Sequence, residues 1–291
     1  MPRIALKIQY LGTHFWGWQR QPRHRSVQAV LEEAIELRAL HSVRTEAAGR
    51  TDTGVHASGQ VVHFETSSPI QPQRWPRVIN NCIQGNDVAV LTAAEVPQDW
   101  HARFSALWRR YRYLILNQED ADVFWQSFSW HYPQPLDAVA MARALESIIG
   151  NHNLEAFRRA GSKRPHSWVT VQEVVCRRQG NVIAIDVQAS GFLYRMMRLL
   201  VGALSFVGRG TLSPEEFGCV WQTNDWSRVP SRYSAPPQGL CLTGIGYASD
   251  PFLVTSQRHP SPFEDQSLSV PWSSQPLSPC DVVVSLMKPL P

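Results

Sequence analysis

Ala48-Gly49-Arg50-Thr51-Asp52-Thr53-Gly54-Val55-His56-Ala57 sets one carboxylate among an arginine, two glycines and two threonines, and runs on into the apolar Val61-Val62-His63-Phe64. It reads as a loop that presents Asp52 just ahead of a strand. Gly49 and Gly54 permit positive φ and close approach of a ligand to the backbone. Arg50 offers a planar donor fork suited to phosphate or to keeping a carboxylate ionised. Asp, Thr and Gly are also ordinary turn residues, so a hairpin-like turn closed by an Asx bond accounts for the same stretch. Taken alone, the loop leaves both readings open.

The pattern on either side predicts an α+β protein. Ahead of the loop, Ile4, Leu6, Ile8 and Tyr10 alternate as a half-buried strand, an aromatic, glycine-containing loop covers 11–19, and Ser26 caps a helix with Val27, Val30, Leu31, Ala34 and Ile35 on one face. Behind it come the strand at 61–64, a short helix marked by Trp75, Val78, Ile79 and Cys82, and a strand over 88–91. A second series follows. Tyr111, Tyr113 and Ile115 alternate, Asp137 opens a helix carrying Met141, Leu145, Ile148 and Ile149 that Gly150 ends, and 168–176 pairs with 182–189 through Gln179-Gly180-Asn181. Leu193, Met196, Met197, Leu200, Val201 and Leu204 form a helical stripe, its methionines core filler. Tyr194 and Arg198 stand at i, i+4 off that stripe, so Arg198 is expected to leave the core and face a cleft. Ser213-Pro214-Glu215-Glu216 is a capping box, and 240–247 is the last strand.

These elements divide into an N-terminal α+β half, 1–105, carrying the Asp52 loop, and a C-terminal α+β half, 106–249. The two are expected to share a largely antiparallel sheet flanked by helices. Residues 250–291 form a tail: of 251–291, eight are Pro and eight Ser, without periodicity, which predicts disorder.

Composition narrows the classes. No stretch approaches the roughly 20 apolar residues of a membrane span. The N-terminus has no signal-peptide core, so a cytoplasmic chain without membrane contact is expected. Cys82, Cys176, Cys219, Cys241 and Cys280 are scattered and never spaced C-x-x-C, which predicts reduced thiols and no metal site. Net charge is +4, from 28 Lys and Arg against 24 Asp and Glu, and the only lysines are Lys7, Lys163 and Lys288. The positive charge is therefore almost all arginine, the side chain preferred for bidentate phosphate contacts and for stacking on bases. It clusters at Arg20, Arg23 and Arg25; at Arg109, Arg110 and Arg112; at Arg158, Arg159, Lys163 and Arg164; and at Arg195 with Arg198. Several of these lie beside Trp or Tyr, a mixture that suits looped or single-stranded nucleic acid and also an ordinary solvated face.

Asp52 and its neighbours, Gly49 to Ala57 followed by Gly59-Gln60-Val61, resemble the signature of the TruA-type tRNA pseudouridine synthases. Further similar stretches occur in order: Gly17-Trp18-Gln19-Arg20-Gln21-Pro22; Asn80 before Asp87-Val88; His101 to Ala106 leading into Arg109-Arg110-Tyr111-Arg112-Tyr113; Gly191-Phe192-Leu193 through Met197-Arg198; and Ala235-Pro236 to Gly239-Leu240. The likeness spans 4–247. It implies isomerisation of uridine to pseudouridine at positions 38, 39 and 40 in the anticodon stem and loop of tRNA. Asp52 would be the catalytic nucleophile and Arg198 its ion-pair partner. Tyr111 would stack on the target base, Leu240 would line the pocket beneath it, and Arg50 would contact phosphate. No cofactor is implied, because the isomerisation has no redox change and one carboxylate can begin it. A homodimer is implied as the working unit, since an L-shaped tRNA extends far beyond one subunit of this size. The chain departs from the family pattern at Asn153, where Asp-Phe is common after Gly-x-His, and at Gln172, where arginine is common after Thr-Val.

Two other classes compete. Asp52-Thr53-Gly54 is also the tripeptide of aspartic proteases, whose chemistry needs two carboxylates sharing a proton in an apolar setting. Here Arg50 is two residues away and no second Asp-Thr-Gly exists in the chain, so only a dimer could complete that site. The arginines and aromatics would equally serve an RNA-binding module without catalysis.

Overall fold

The computed structural model describes residues 1–161 and 164–253, so the expected tail lies outside the described residues from 254 onward. In chain order the strands are β1 (Arg3–Tyr10), β2 (Glu46–Ala47), β3 (His56–Glu65), β4 (Val88–Val96), β5 (Ala106–Leu116), β6 (Trp130–His131), β7 (Gly150–Asn153), β8 (Trp168–Gln179), β9 (Val182–Ala189) and β10 (Leu240–Tyr247). The helices are α1 (Val27–Ala39), α2 (Trp75–Asn80), α3 (Ala138–Glu146), α4 (Met196–Gly208) and α5 (Pro214–Thr223). The chain is a mixed α+β protein, its strands mostly antiparallel and flanked by helices, organised in two compact units. One comprises residues 1–109 and 241–253, the other 110–240.

In the first unit the strand order is β4-β1-β3-β10, with β2 added to β3. β1 runs antiparallel to both neighbours, pairing Ile4 with Phe64 and with Glu95, while β10 joins β3 in parallel through Cys241 and His56. Alternation puts Ile4, Leu6 and Ile8 in the core at 2% exposure or less, and α1 lays Val27, Leu31, Ala34 and Ile35 inward, as the spacing predicts. Ser26 caps that helix by accepting from the Ala29 N–H. A second apolar cluster gathers Ala5, Ala48, Val61, Val96, Ala102 and Phe252. The first residues past 249 are thus packed, Phe252 at 6% exposure.

In the second unit the order is β5-β9-β8-β7, with β6 beside β5 in parallel. The β8–β9 hairpin turns through Gly180 at φ 54, and it is longer on its first strand than the apolar run implies. Asp137 caps α3 by accepting from Val139 N and Ala140 N, yet the helix stops at Glu146. Ile148 and Ile149 lie beyond it, and Gly150, at φ +117, begins β7 rather than ending a helix. Ser213 and Glu216 close the capping box of α5 as expected. Among the described residues no helix is long and apolar enough to cross a membrane.

Candidate active site

Asp52 lies in the connection from β2 to β3, and the backbone on both sides of it is tied down. Ala48, at 3% exposure, is anchored in the apolar cluster. Next to it the fully buried Gln60 of β3 clamps Gly49, its amide nitrogen donating to Gly49 O at 2.6 Å and its amide oxygen accepting from Gly49 N at 3.3 Å. Trp18 N donates to Thr51 O at 3.1 Å, Gly54 N to Phe15 O at 3.3 Å, and Val55 N to Asp52 O at 3.1 Å. The Thr51 hydroxyl meets the Tyr10 hydroxyl at 2.8 Å. Burial pushes the Tyr10 phenol well above its ordinary pKa, so it stays a neutral hydrogen-bonding group.

The aromatic loop between β1 and α1 forms the other wall. A Cβ at Gly12 would stand 2.1 Å from Val55 O, and one at Gly17, whose φ is +86, would stand 2.7 Å from Thr51 O. Only glycine lets the two loops touch here. Of the two glycines flanking Asp52, Gly54 uses the left-handed region (φ 78), whereas Gly49 does not and serves as the seat of the Gln60 clamp. The loop is at once a hydrogen-bonded turn and a mount: Asp52 is half-buried on a fixed backbone, and Arg50 is exposed, making no ion pair among the described residues.

Tyr111, Arg198 and Leu240 belong to the second unit. Tyr111 on β5 is 7% exposed and meets the ring of Phe192 edge-on, centroids 4.7 Å apart. Tyr113, two residues on, is fully buried and donates its hydroxyl to Pro236 O at 2.8 Å; burial holds its pKa well up, and the group is structural. Arg198 is 9% exposed on α4, a helix buried along its whole length. Its Nε donates to Ala235 O at 2.6 Å, and Ala235 N donates back to Arg198 O at 2.8 Å. The expectation that Tyr194 and Arg198 share a helical face is corrected: Arg195 caps α4 at φ 60, so Tyr194 precedes the helix. The arginine is aimed by the Ala235 loop instead of by a free helix face. The same segment delivers Leu240, 5% exposed at the start of β10, across Gly239, where a Cβ would run 2.7 Å into the Tyr113 ring.

Several groups were not singled out from sequence. Gln60 and Tyr10 hold the Asp52 loop, and Phe192 fixes Tyr111. A glutamine inside an apolar strand was the available signal for the first; Phe192 carried none beyond its place in the quoted motif. The arginines at 109–112, a run that suits either nucleic acid or a solvated face by sequence, are turned instead to the protein's own acceptors. Arg109 donates to Ala48 O at 3.1 and 3.3 Å, Arg110 binds Glu173 and Gln188, and Arg112 forms a two-armed pair with buried Asp186 at 2.8 and 3.0 Å. Among the described residues no group of His, Cys, Asp or Glu could hold a metal ion.

A carboxylate mounted on a tied-down loop of a mixed α+β fold is the chemistry the site offers, and comparison with known proteins supplies the class. The model of a family described as tRNA pseudouridine synthase matches residues 7–105 and 144–248. The tRNA pseudouridine synthase A of Gloeobacter violaceus is 56% identical over 251 residues, covering 86% of this chain and 82% of that one. That of Thermosynechococcus vestitus is 54% identical over 251 residues, covering 86% and 87%, and that of a Synechococcus is 52% identical over 285 residues, covering 96% and 94%. The chain belongs to the tRNA pseudouridine synthase family. It is an isomerase acting on tRNA, converting uridine to pseudouridine.

Proposed function

We propose that the chain isomerises uridines 38, 39 and 40 in the anticodon stem and loop of tRNA, with Asp52 as the nucleophile. The observation that carries this is the rigidly mounted Asp52 loop, whose backbone is bonded on both sides by Gln60, Trp18 and Phe15. The reaction breaks the C1′–N1 bond and forms C1′–C5; C5 loses its hydrogen and N1 gains a proton, so electrons balance without an oxidant. An ionised carboxylate on a fixed backbone suits that task, because it pays no reorganisation when the target arrives. Arg198 is the proposed ion-pair partner that favours the charged form of Asp52.

The target must leave its stack, which costs a few kcal/mol. Stacking on Tyr111 returns about 1–3 kcal/mol, Leu240 supplies apolar surface beneath the base, and Arg50, exposed and unpaired among the described residues, supplies phosphate contact. The proposed working unit is a cytoplasmic homodimer with one Asp52 per subunit and tRNA lying across both. The positional part is tested with three anticodon-arm hairpins, each with a single uridine at 38, 39 or 40, in which pseudouridine is mapped after incubation. Conversion at those positions, and at none when uridine is moved elsewhere in the arm, is the expected result; conversion only outside the three positions refutes it. Light scattering at working concentration tests the dimer, and a fully active monomer refutes that part.

A further inference from the structure

Trp16 is 53% exposed, and its indole lies flat on the imidazole of His24, centroids 4.1 Å apart at 21°. Both residues are at the surface, so neither ring fills the core. The pair is nevertheless held on a rigid backbone. Trp16 N donates to Arg25 O at 2.9 Å, and Gln21 and His24 form an isolated antiparallel bridge. On either side of Trp16, Phe15 O accepts from Gly54 N and Gly17 rests against Thr51 O, so the stack stands one residue from the backbone that holds Asp52.

The arginines of this segment are used unequally. Arg25 chelates Asp87 and lies over the Phe15 ring at 4.2 Å, and Arg20 reaches Glu32 at 3.1 Å and Glu33 at 3.9 Å. Arg23 has no carboxylate partner among the described residues and sits at φ 86, a region that a side chain with a Cβ occupies under strain. Arg23 and His24 line an open groove of about 920 Å³, within the range of sites that take ligands of nucleotide size, and Trp16 stands outside that lining, joined to it through its stack on His24. An exposed aromatic pair and, sharing a groove with its His24, an uncommitted arginine with room for a nucleoside are the components of a single-stranded RNA contact.

We infer that the Trp16–His24 stack is a platform for one unpaired base of the tRNA, with Arg23 on the phosphate of that nucleotide. This rests on the reading of the chain as a tRNA enzyme, and it concerns a nucleotide other than the target uridine. Stacking needs no particular base, so the platform adds affinity and register without sequence preference.

The test measures binding of the full chain to an anticodon-arm hairpin in which loop bases are removed one at a time. On the intact hairpin, Trp16→Ala is expected to weaken binding about 5- to 150-fold, the worth of one base–aromatic stack, while Trp16→Tyr retains most of the affinity. At one abasic position wild type should lose as much, and Trp16→Ala should lose nothing further, which a merely structural role would not produce. Arg23→Gln should lower the slope of affinity against salt by about one counterion. His24→Ala, at an exposed position, is expected to give the same abasic non-additivity and serves if Trp16→Ala melts early. Wild-type affinity in the Trp16→Ala and His24→Ala proteins, or penalties that multiply at every abasic position, overturns the proposal. Running the series in the Asp52→Asn protein, which does no chemistry, separates failure of the platform from failure of the catalytic reading.

Discussion

The strand segment Arg109–Arg112 and the loop segment Arg20–Arg25 each carry three arginines within six residues, yet they spend them differently. On β5 every guanidinium is turned to the protein's own acceptors: carbonyls for Arg109, Glu173 and Gln188 for Arg110, and both oxygens of Asp186 for Arg112. In the loop Arg20 and Arg25 are paired but exposed, and Arg23 is uncommitted among the described residues, as is Arg50 in the neighbouring Asp52 loop. Charge density along the chain is the same kind of signal in both places. What divides them is the partner that folding brings up: Arg110 and Arg112 meet side chains of β8 and β9 and Arg109 meets backbone carbonyls, whereas in the loops Arg23 and Arg50 stay exposed without a carboxylate among the described residues.

If the strand arginines are structural, breaking Arg112 is the costliest change. Arg112→Ala leaves the Asp186 carboxylate buried and uncompensated, and should destabilise the protein by about 3–5 kcal/mol in urea unfolding. Replacing both partners together, Arg112→Met with Asp186→Leu, should recover most of that loss. Equal stability of the single variant and wild type would erase the distinction between the two arginine runs.

Interior polar groups should also set the acid limit of stability. His63, 6% exposed on β3, accepts from Ala102 N, and burial, aided by His101 alongside, lowers its pKa to about 4. Its folded pKa lies below the unfolded value near 6.5, so the unfolded chain binds more protons between the two. The stability it contributes is complete above 6.5 and lost as pH falls through about 4, up to about 3 kcal/mol. A urea series from pH 7 to 4 should show the fall in wild type and a shallower one in His63→Gln.

The loop side of the comparison predicts effects on RNA rather than on folding. Arg50→Ala should leave the urea midpoint nearly unchanged while weakening tRNA affinity about 10-fold and lowering the salt slope by about one. A loss of stability without a change in affinity would place Arg50 with the strand arginines.

Much of this architecture was legible along the chain. β1, α1, the β8–β9 hairpin, the α5 capping box and β10 follow from alternation, from Ser26 and Ser213, and from Gly180, since each is decided by residues a few positions apart. The misreadings all involve contacts distant in sequence. α3 ends three residues before the last isoleucine assigned to it because the chain from Gly150 onward pairs with β8, Gly150 opposite Val171. Tyr194 falls off α4 because its carbonyl accepts from Arg159 N at 3.1 Å while Arg195 takes the left-handed cap. At the site, the loop motif marks Asp52 and Arg50, but the Gln60 clamp, the Gly12 and Gly17 approaches and the Ala235 bond to Arg198 join residues up to 43 apart and leave no periodic trace.

The central claim is that Asp52 performs the chemistry while its loop only holds it. Tritium release from tRNA carrying 5-tritiated uridine reads that directly, because forming the bond at C5 must expel that hydrogen. At saturating tRNA the wild-type chain should release tritium, and Asp52→Asn, with the same melting temperature and tRNA affinity, should release none above background. Substantial release by the Asp52→Asn protein, after mass spectrometry has excluded deamidation to the acid, would contradict the account.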